Sequence, residues 1–165
     1  MSKRISDAIE KILNQQIANE MNNSFVYRAM ANCMEYNGWN GTVKLYKKHS
    51  DEERDHAEKV IQYMQDRDCL PQIPSVPVPQ KEYEGIKDII LKTDELEVKT
   101  TKQWREIANA AMKEADLLTF ELAQDFIKEQ IEEEASSNYW VNRMEMLETT
   151  GAPLYHLDEE MGDKV

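Results

Sequence analysis

Glycine and proline are scarce in this chain. There are five of each among 165 residues, and three of the prolines, Pro74, Pro77 and Pro79, crowd into one short stretch. β-Sandwiches, barrels and parallel α/β folds need a turn signal roughly every ten residues, and that supply is missing. Cysteine is nearly absent. Cys33 and Cys69 fit no metal-ligand or redox spacing, which argues against thiolate sites and points to a reducing cytoplasm. Basic residues are outnumbered, 20 Lys and Arg against 32 Asp and Glu, for a net charge of -12. Such a surface repels phosphate backbones and anionic lipid and attracts cations, so neither a nucleic-acid nor a membrane partner is expected. Long apolar runs are also missing, so neither a signal peptide nor a membrane span is expected. What remains is 41% hydrophobic and 32% charged, at a length that suits a single domain over 1–165.

Four long segments carry a helical period, at about 6–36, 42–68, 83–113 and 116–149, each bounded by turn residues. A shorter one follows Gly151 and Pro153, at about 153–162. Few residues join the first to the second or the third to the fourth, so each pair is expected to form an antiparallel hairpin. Between the pairs lies 69–82, whose prolines enforce an extended path. A stretch of that length can run along a helix roughly 40 Å long. The expected fold is all-α: a four-helix bundle with one long crossover between helices two and three, plus a short C-terminal fifth helix.

On a helical wheel each long segment carries an acid where its apolar stripe is densest. Ile9, Leu13, Gln16, Tyr27, Ala31 and Met34 flank Glu20 in the first; Tyr46, Ala57, Val60 and Met64 flank Glu53 in the second, with His56 to one side. Ile86, Ile90, Trp104 and Ala108 surround Glu97 in the third. Leu122, Phe126, Trp140 and Met144 surround Glu133 in the fourth, with Glu129 nearby. All lie near the midpoint of their own helix, so the bundle brings them to one level. No inward Lys or Arg at that level is expected to neutralise them, and each unpaired buried charge would cost several kcal/mol. A multivalent cation is the remedy. Carboxylates with one imidazole suit iron or manganese, with zinc also possible.

Singly, an inward Glu is more often a surface residue that snorkels, and Glu53-x-x-His56 is a common tetrapeptide. The coincidence of four acids in face and height carries the reading. Glu52 and Glu132 lie well off the stripes and by the wheel are solvated or flanking positions. His49 reads as a core histidine with a hydrogen bond, and His156 as a tail residue. Trp104 and Trp140 read as packing, as do the methionines. Tyr27, two turns after Glu20, sits where it could either pack or touch a metal-bound carboxylate.

With these residues in place the chain resembles bacterial non-haem ferritins over essentially its full length. The resemblance rests on Glu20 with Tyr27, on Glu52-Glu53-x-x-His56, on Glu97, and on Glu129-Gln130-x-Glu132-Glu133. It implies a di-iron ferroxidase centre. One iron would be held by Glu20, His56 and bridging Glu53; the second by Glu53, Glu97 and Glu133, with Gln130 on the dioxygen side and Tyr27 beside the centre. It further implies a third iron position at Glu52, Glu129, Glu132 and Glu133, and a hollow homo-oligomeric cage of 24 subunits. Fe(II) and either O2 or H2O2 would be the substrates. Bacterioferritins and rubrerythrins carry a second Glu-x-x-His in the fourth helix, whereas here Glu132 follows Glu129 and Ser136 follows Glu133 at that spacing. Arg54 stands where a bacterioferritin has its haem-binding Met, so no haem is expected. The competing expectations are a non-storing di-iron peroxidase or oxidase of small oligomeric state, and a DNA-protecting mini-ferritin.

Overall fold

The computed structural model describes residues 3–147 and 151–165. Its five helices are α1 (Asp7–Tyr36), α2 (Asn40–Asp66), α3 (Ile86–Lys113), α4 (Leu117–Met146) and α5 (Ala152–Asp163), and no strand occurs among the described residues. Local chemistry fixes several boundaries. Ser6 caps α1 by accepting from Ile9 N at 3.1 Å, and Asp116 caps α4 by accepting from Thr119 N at 3.1 Å. The start expected at 83 for the third helix is corrected to Ile86, because Gly85 precedes it with φ +131°, a backbone state closed to helix. The expected end of the fourth helix at 149 lies outside the described residues.

Cross-helix hydrogen bonds establish the directions. From α1 to α3, Tyr27 reaches Glu97, Asn23 reaches Thr100 and Glu20 meets Trp104, so one number falls as the other rises. From α1 to α2 the pairs Ser24 with Ser50, and Lys47 with Glu35, run the same way. Both α2 and α3 are thus antiparallel to α1, and parallel to each other. The proline-bearing segment 67–85 makes this possible by lying along α1. Gln72 N donates to Asn14 Oδ1 at 2.8 Å near one end, and Tyr83 N meets Cys33 Sγ at 3.4 Å near the other.

Helix α5 packs across the start of α2. Asp158, buried, accepts from Gly41 N at 3.0 Å and from Thr42 N and Oγ1 at 2.7 Å, so it caps a helix 116 residues away in sequence. The backbones approach so closely that a Cβ on Gly41 would stand 1.8 Å from the Asp158 carbonyl oxygen.

The apolar core falls into two halves. One gathers Ile9, Leu13, Ile17, Val60, Met64, Trp104 and Phe126; the other gathers Met30, Met34, Tyr46, Ile86, Ile90, Trp140 and Met144. On each of the four long helices the acids sit between the two. On α1, for instance, Ile17 belongs to the first half, Tyr27 to the second, and Glu20 lies in the gap.

Candidate metal centre

Helix periodicity alone aims Glu20 (0% exposed), Glu53 (4%), His56 (8%) and Glu97 (2%) at this gap. Ligand atoms of Glu20, Glu53 and His56 all lie within 4.8 Å of one another, close enough to share one ion. His56 Nδ1 stands 3.5 Å from Glu53 Oε2, as expected for side chains three residues apart on one helix. Glu20 Oε2 and Glu53 Oε2 are buried with no hydrogen-bond partner. A buried oxygen without a donor costs free energy, so two in one place suit a group that could hold a cation better than they suit a packed interior.

The electrostatics agree. Burial, and then repulsion from Glu53, hold the Glu20 carboxyl well above the ordinary carboxylate range. Burial lifts Glu53 in the same direction, reinforced by Glu97 and Glu133, and burial lifts Glu133 too, against the opposing pull of His49. Acids pushed together this way favour a multivalent cation in place of their protons.

Glu97 is in a different condition. Tyr27 OH donates to its Oε1, and Gln130 Nε2 donates to its Oε2 at 3.0 Å, so both oxygens are engaged. Burial beside Glu97 raises the Tyr27 hydroxyl well above its usual pKa, which keeps it a proton donor. Glu133 is half-buried and lines, with Glu97, His49, Tyr46 and Thr93, a cavity of about 10 Å³, room for about one water. Glu20 and Glu53 therefore each keep an oxygen without a donor, whereas both oxygens of Glu97 are taken.

The remaining predicted residues lie farther out. Glu129 is half-exposed; its Oε2 is 3.2 Å from His56 Nε2, and its Oε1 accepts from Lys59 Nζ at 3.1 Å. Glu52 faces His49 Nδ1 at 3.4 Å, and that hydrogen bond holds its carboxyl below the usual range. Glu132 is exposed, sharing a rim with Glu52, Glu133, Lys48 and Lys164. His49 is mostly buried, its ring 5.4 Å from that of Tyr27, and His156 is exposed on α5. Reading the sequence missed three contacts. Gln16 and Trp104, taken as stripe residues, both donate to Glu20 Oε1, and Lys59 reaches Glu129. Trp104 shares a face with Glu97 on the wheel, but only packing shows that its indole N–H points across to α1.

A single chain, then, buries carboxylates and one imidazole halfway along a helical bundle, a group of side chains that could hold a metal ion. The ferritin-like domain family matches residues 10–147, and the chain belongs to that family. It is 30% identical over 155 residues to the bacterial non-heme ferritin of Escherichia coli, covering 94% of this chain and 93% of that one. The bacterial non-heme ferritin of Campylobacter jejuni matches at the same identity and coverage. Among solved structures, an open pore ferritin from the archaeon Archaeoglobus fulgidus superposes with a TM-score of 0.93 at 28% identity, covering 96% of this chain and 97% of that one. No described helix is long and apolar enough to cross a membrane.

Proposed function

We propose that this chain, acting over 1–165 as one ferritin-like domain, is a cytoplasmic iron-storage ferritin that oxidises Fe(II) at an intra-subunit ferroxidase centre. Family and fold support iron storage and an oxidoreductase activity. The observation that carries the reading is the pair of buried, unpartnered oxygens on Glu20 and Glu53 beside His56. The clustered Glu20, Glu53 and His56 lie on one chain, which favours this reading over a mini-ferritin with its centre between subunits.

Iron is the substrate. Glu20, Glu53 and His56 hold the first Fe(II); Glu53, Glu97 and Glu133 hold the second. Two Fe(II) together supply the two electrons that reduce O2 to H2O2, or H2O2 to water, without a free one-electron product. Carboxylates favour the higher charge of Fe(III) and so drive the oxidation. Tyr27 and Gln130 steady Glu97 until the second ion draws it in. Glu52, Glu129, Glu132 and Glu133 form a third position, through which Fe(III) leaves for the interior of a 24-subunit homo-oligomer, where it is stored as hydrated oxide. Apolar side chains left exposed on the proline-bearing segment 67–85 and on α1, among them Leu70, Ile73, Val78 and Phe25, support burial against other copies.

Stopped-flow oxidation of Fe(II) tests the centre. Glu97→Ala loses the fast phase, by about 10²-fold or more, while its circular dichroism stays helical. A Glu97→Ala variant oxidising Fe(II) at the wild-type rate contradicts the assignment of the second position.

A further inference from the structure

The two carboxylate oxygens of Glu20 are in opposite situations. Oε1 accepts two hydrogen bonds, from Gln16 Nε2 at 2.7 Å and from Trp104 Nε1 at 2.9 Å, while Oε2 is buried with no partner. Both donors are buried and held in turn. Gln16 sits one turn before Glu20 on α1, and its own amide oxygen accepts from Asn19 Nδ2 at 3.0 Å, which settles which end of the amide faces Glu20. Trp104 reaches in from α3 and is clamped by Phe126 of α4. The rings stack with centroids 3.9 Å apart and planes 6° from parallel. Phe126 in turn meets His56 edge-on at 5.4 Å, so the same aromatic stack touches a second predicted ligand.

The terminal torsion of a glutamate is soft, so an untethered carboxylate swings and can present either oxygen or both. Two N–H donors on one oxygen remove that freedom. An indole N–H is suited to the task because it only donates and offers no lone pair to compete for a cation.

We propose that Trp104, together with Gln16, is a positioning residue that fixes Glu20 so that it meets the first metal ion through Oε2 alone. This rests on the reading of the centre as a metal site. The tethering comes from α1 and α3, the shape from the stack on α4, and the consequence is a first position already in its binding geometry before an ion arrives. Groups that orient a ligand from behind are worth about 10–100-fold in metal affinity.

The test uses Co(II) added anaerobically to the purified full chain, followed by its visible absorption, so that no oxidation intervenes. Trp104→Phe keeps an aromatic ring on Phe126 and deletes the donor; Gln16→Leu deletes the other donor with little change in volume. Each variant is expected to bind Co(II) at the first position about 10–100-fold more weakly than wild type. The visible bands shift as well, because the ligand geometry changes. A purely structural role for Trp104 would lower the thermal midpoint of the metal-free protein and leave Co(II) affinity and spectrum unchanged below that transition. Wild-type affinity and spectrum in both folded variants overturn the proposal while leaving the metal site intact. If Trp104→Phe does not fold, Gln16→Leu decides alone: weakened binding upholds the proposal and unchanged binding overturns it. A wild-type chain that binds no Co(II) overturns the metal site itself, and this proposal with it.

Discussion

Glu20 and Glu53 each bury an oxygen that no donor reaches, and in the metal-free protein that oxygen destabilises the fold. Replacing either by an apolar residue of similar size removes the penalty. Glu53→Leu is expected to raise the stability of the metal-free chain by about 1–4 kcal/mol while abolishing tight metal binding. Thermal unfolding with and without Co(II) measures both effects, and a Glu53→Leu chain less stable than metal-free wild type speaks against an orphaned buried oxygen. The sign of the pH dependence follows from the same groups. Because the folded carboxyl of Glu53 is raised, to about 8, the stability from its protonated form is complete below the ordinary carboxylate range. It is lost as pH rises through the folded value. The metal-free midpoint should therefore fall between about pH 5 and 9, and a saturating divalent cation should flatten that slope, because the ion replaces the protons. The burial of Glu20, Glu53 and Glu97 is legible in the sequence because each breaks an apolar stripe, and His56 follows Glu53 by one turn to the side of it. The hydrogen bonds of Gln16 and Trp104 are not, since a glutamine beside the stripe and a tryptophan within it obey the pattern and betray nothing of them.

Helix boundaries follow residue chemistry where a cap lies next to the helix it serves. Ser6 and Asp116 are of this kind, and both could be read from sequence alone. The proline run was equally legible as an extended strap, since prolines this close together break a helix and cannot sit in a central strand. The capping of α2 was hidden, because the residue that does it, Asp158, lies on α5. Two substitutions probe this joint. Asp158→Ala strands two backbone donors and a hydroxyl and should cost about 1–2 kcal/mol. Gly41→Ala sets a methyl group 1.8 Å from a backbone oxygen and should displace α5 altogether. The expected readout is a lowered unfolding midpoint in both variants, with faster proteolysis at α5 in Gly41→Ala. A Gly41→Ala chain as protease-resistant as wild type would mean that α5 does not hold the close approach seen here.

Across the whole molecule the polar layer divides the core, and the two apolar halves carry its stability from either side. Antiparallel pairing of α1 with α2 and α3 brings the helix midpoints to one height, and this is why acids from separate helices, unremarkable one at a time, come close enough to repel one another. That convergence was foreseeable once the strap was read as a long crossover. Which oxygens are free and which are tethered depends on packing between helices, and the periodicity of one helix does not contain it. The net charge of -12 and the apolar residues exposed on the strap are properties of the same scale, fitting a particle that draws in cations and buries its flanks against its own copies. The most direct test of iron storage is aerobic loading of the purified chain with Fe(II), followed by size-exclusion chromatography with iron measured across the peak. Hundreds of irons or more, eluting with one very large assembly of the 19.3 kDa chain, is the predicted result. About two irons per chain on a small oligomer would contradict storage and leave a di-iron redox enzyme in its place.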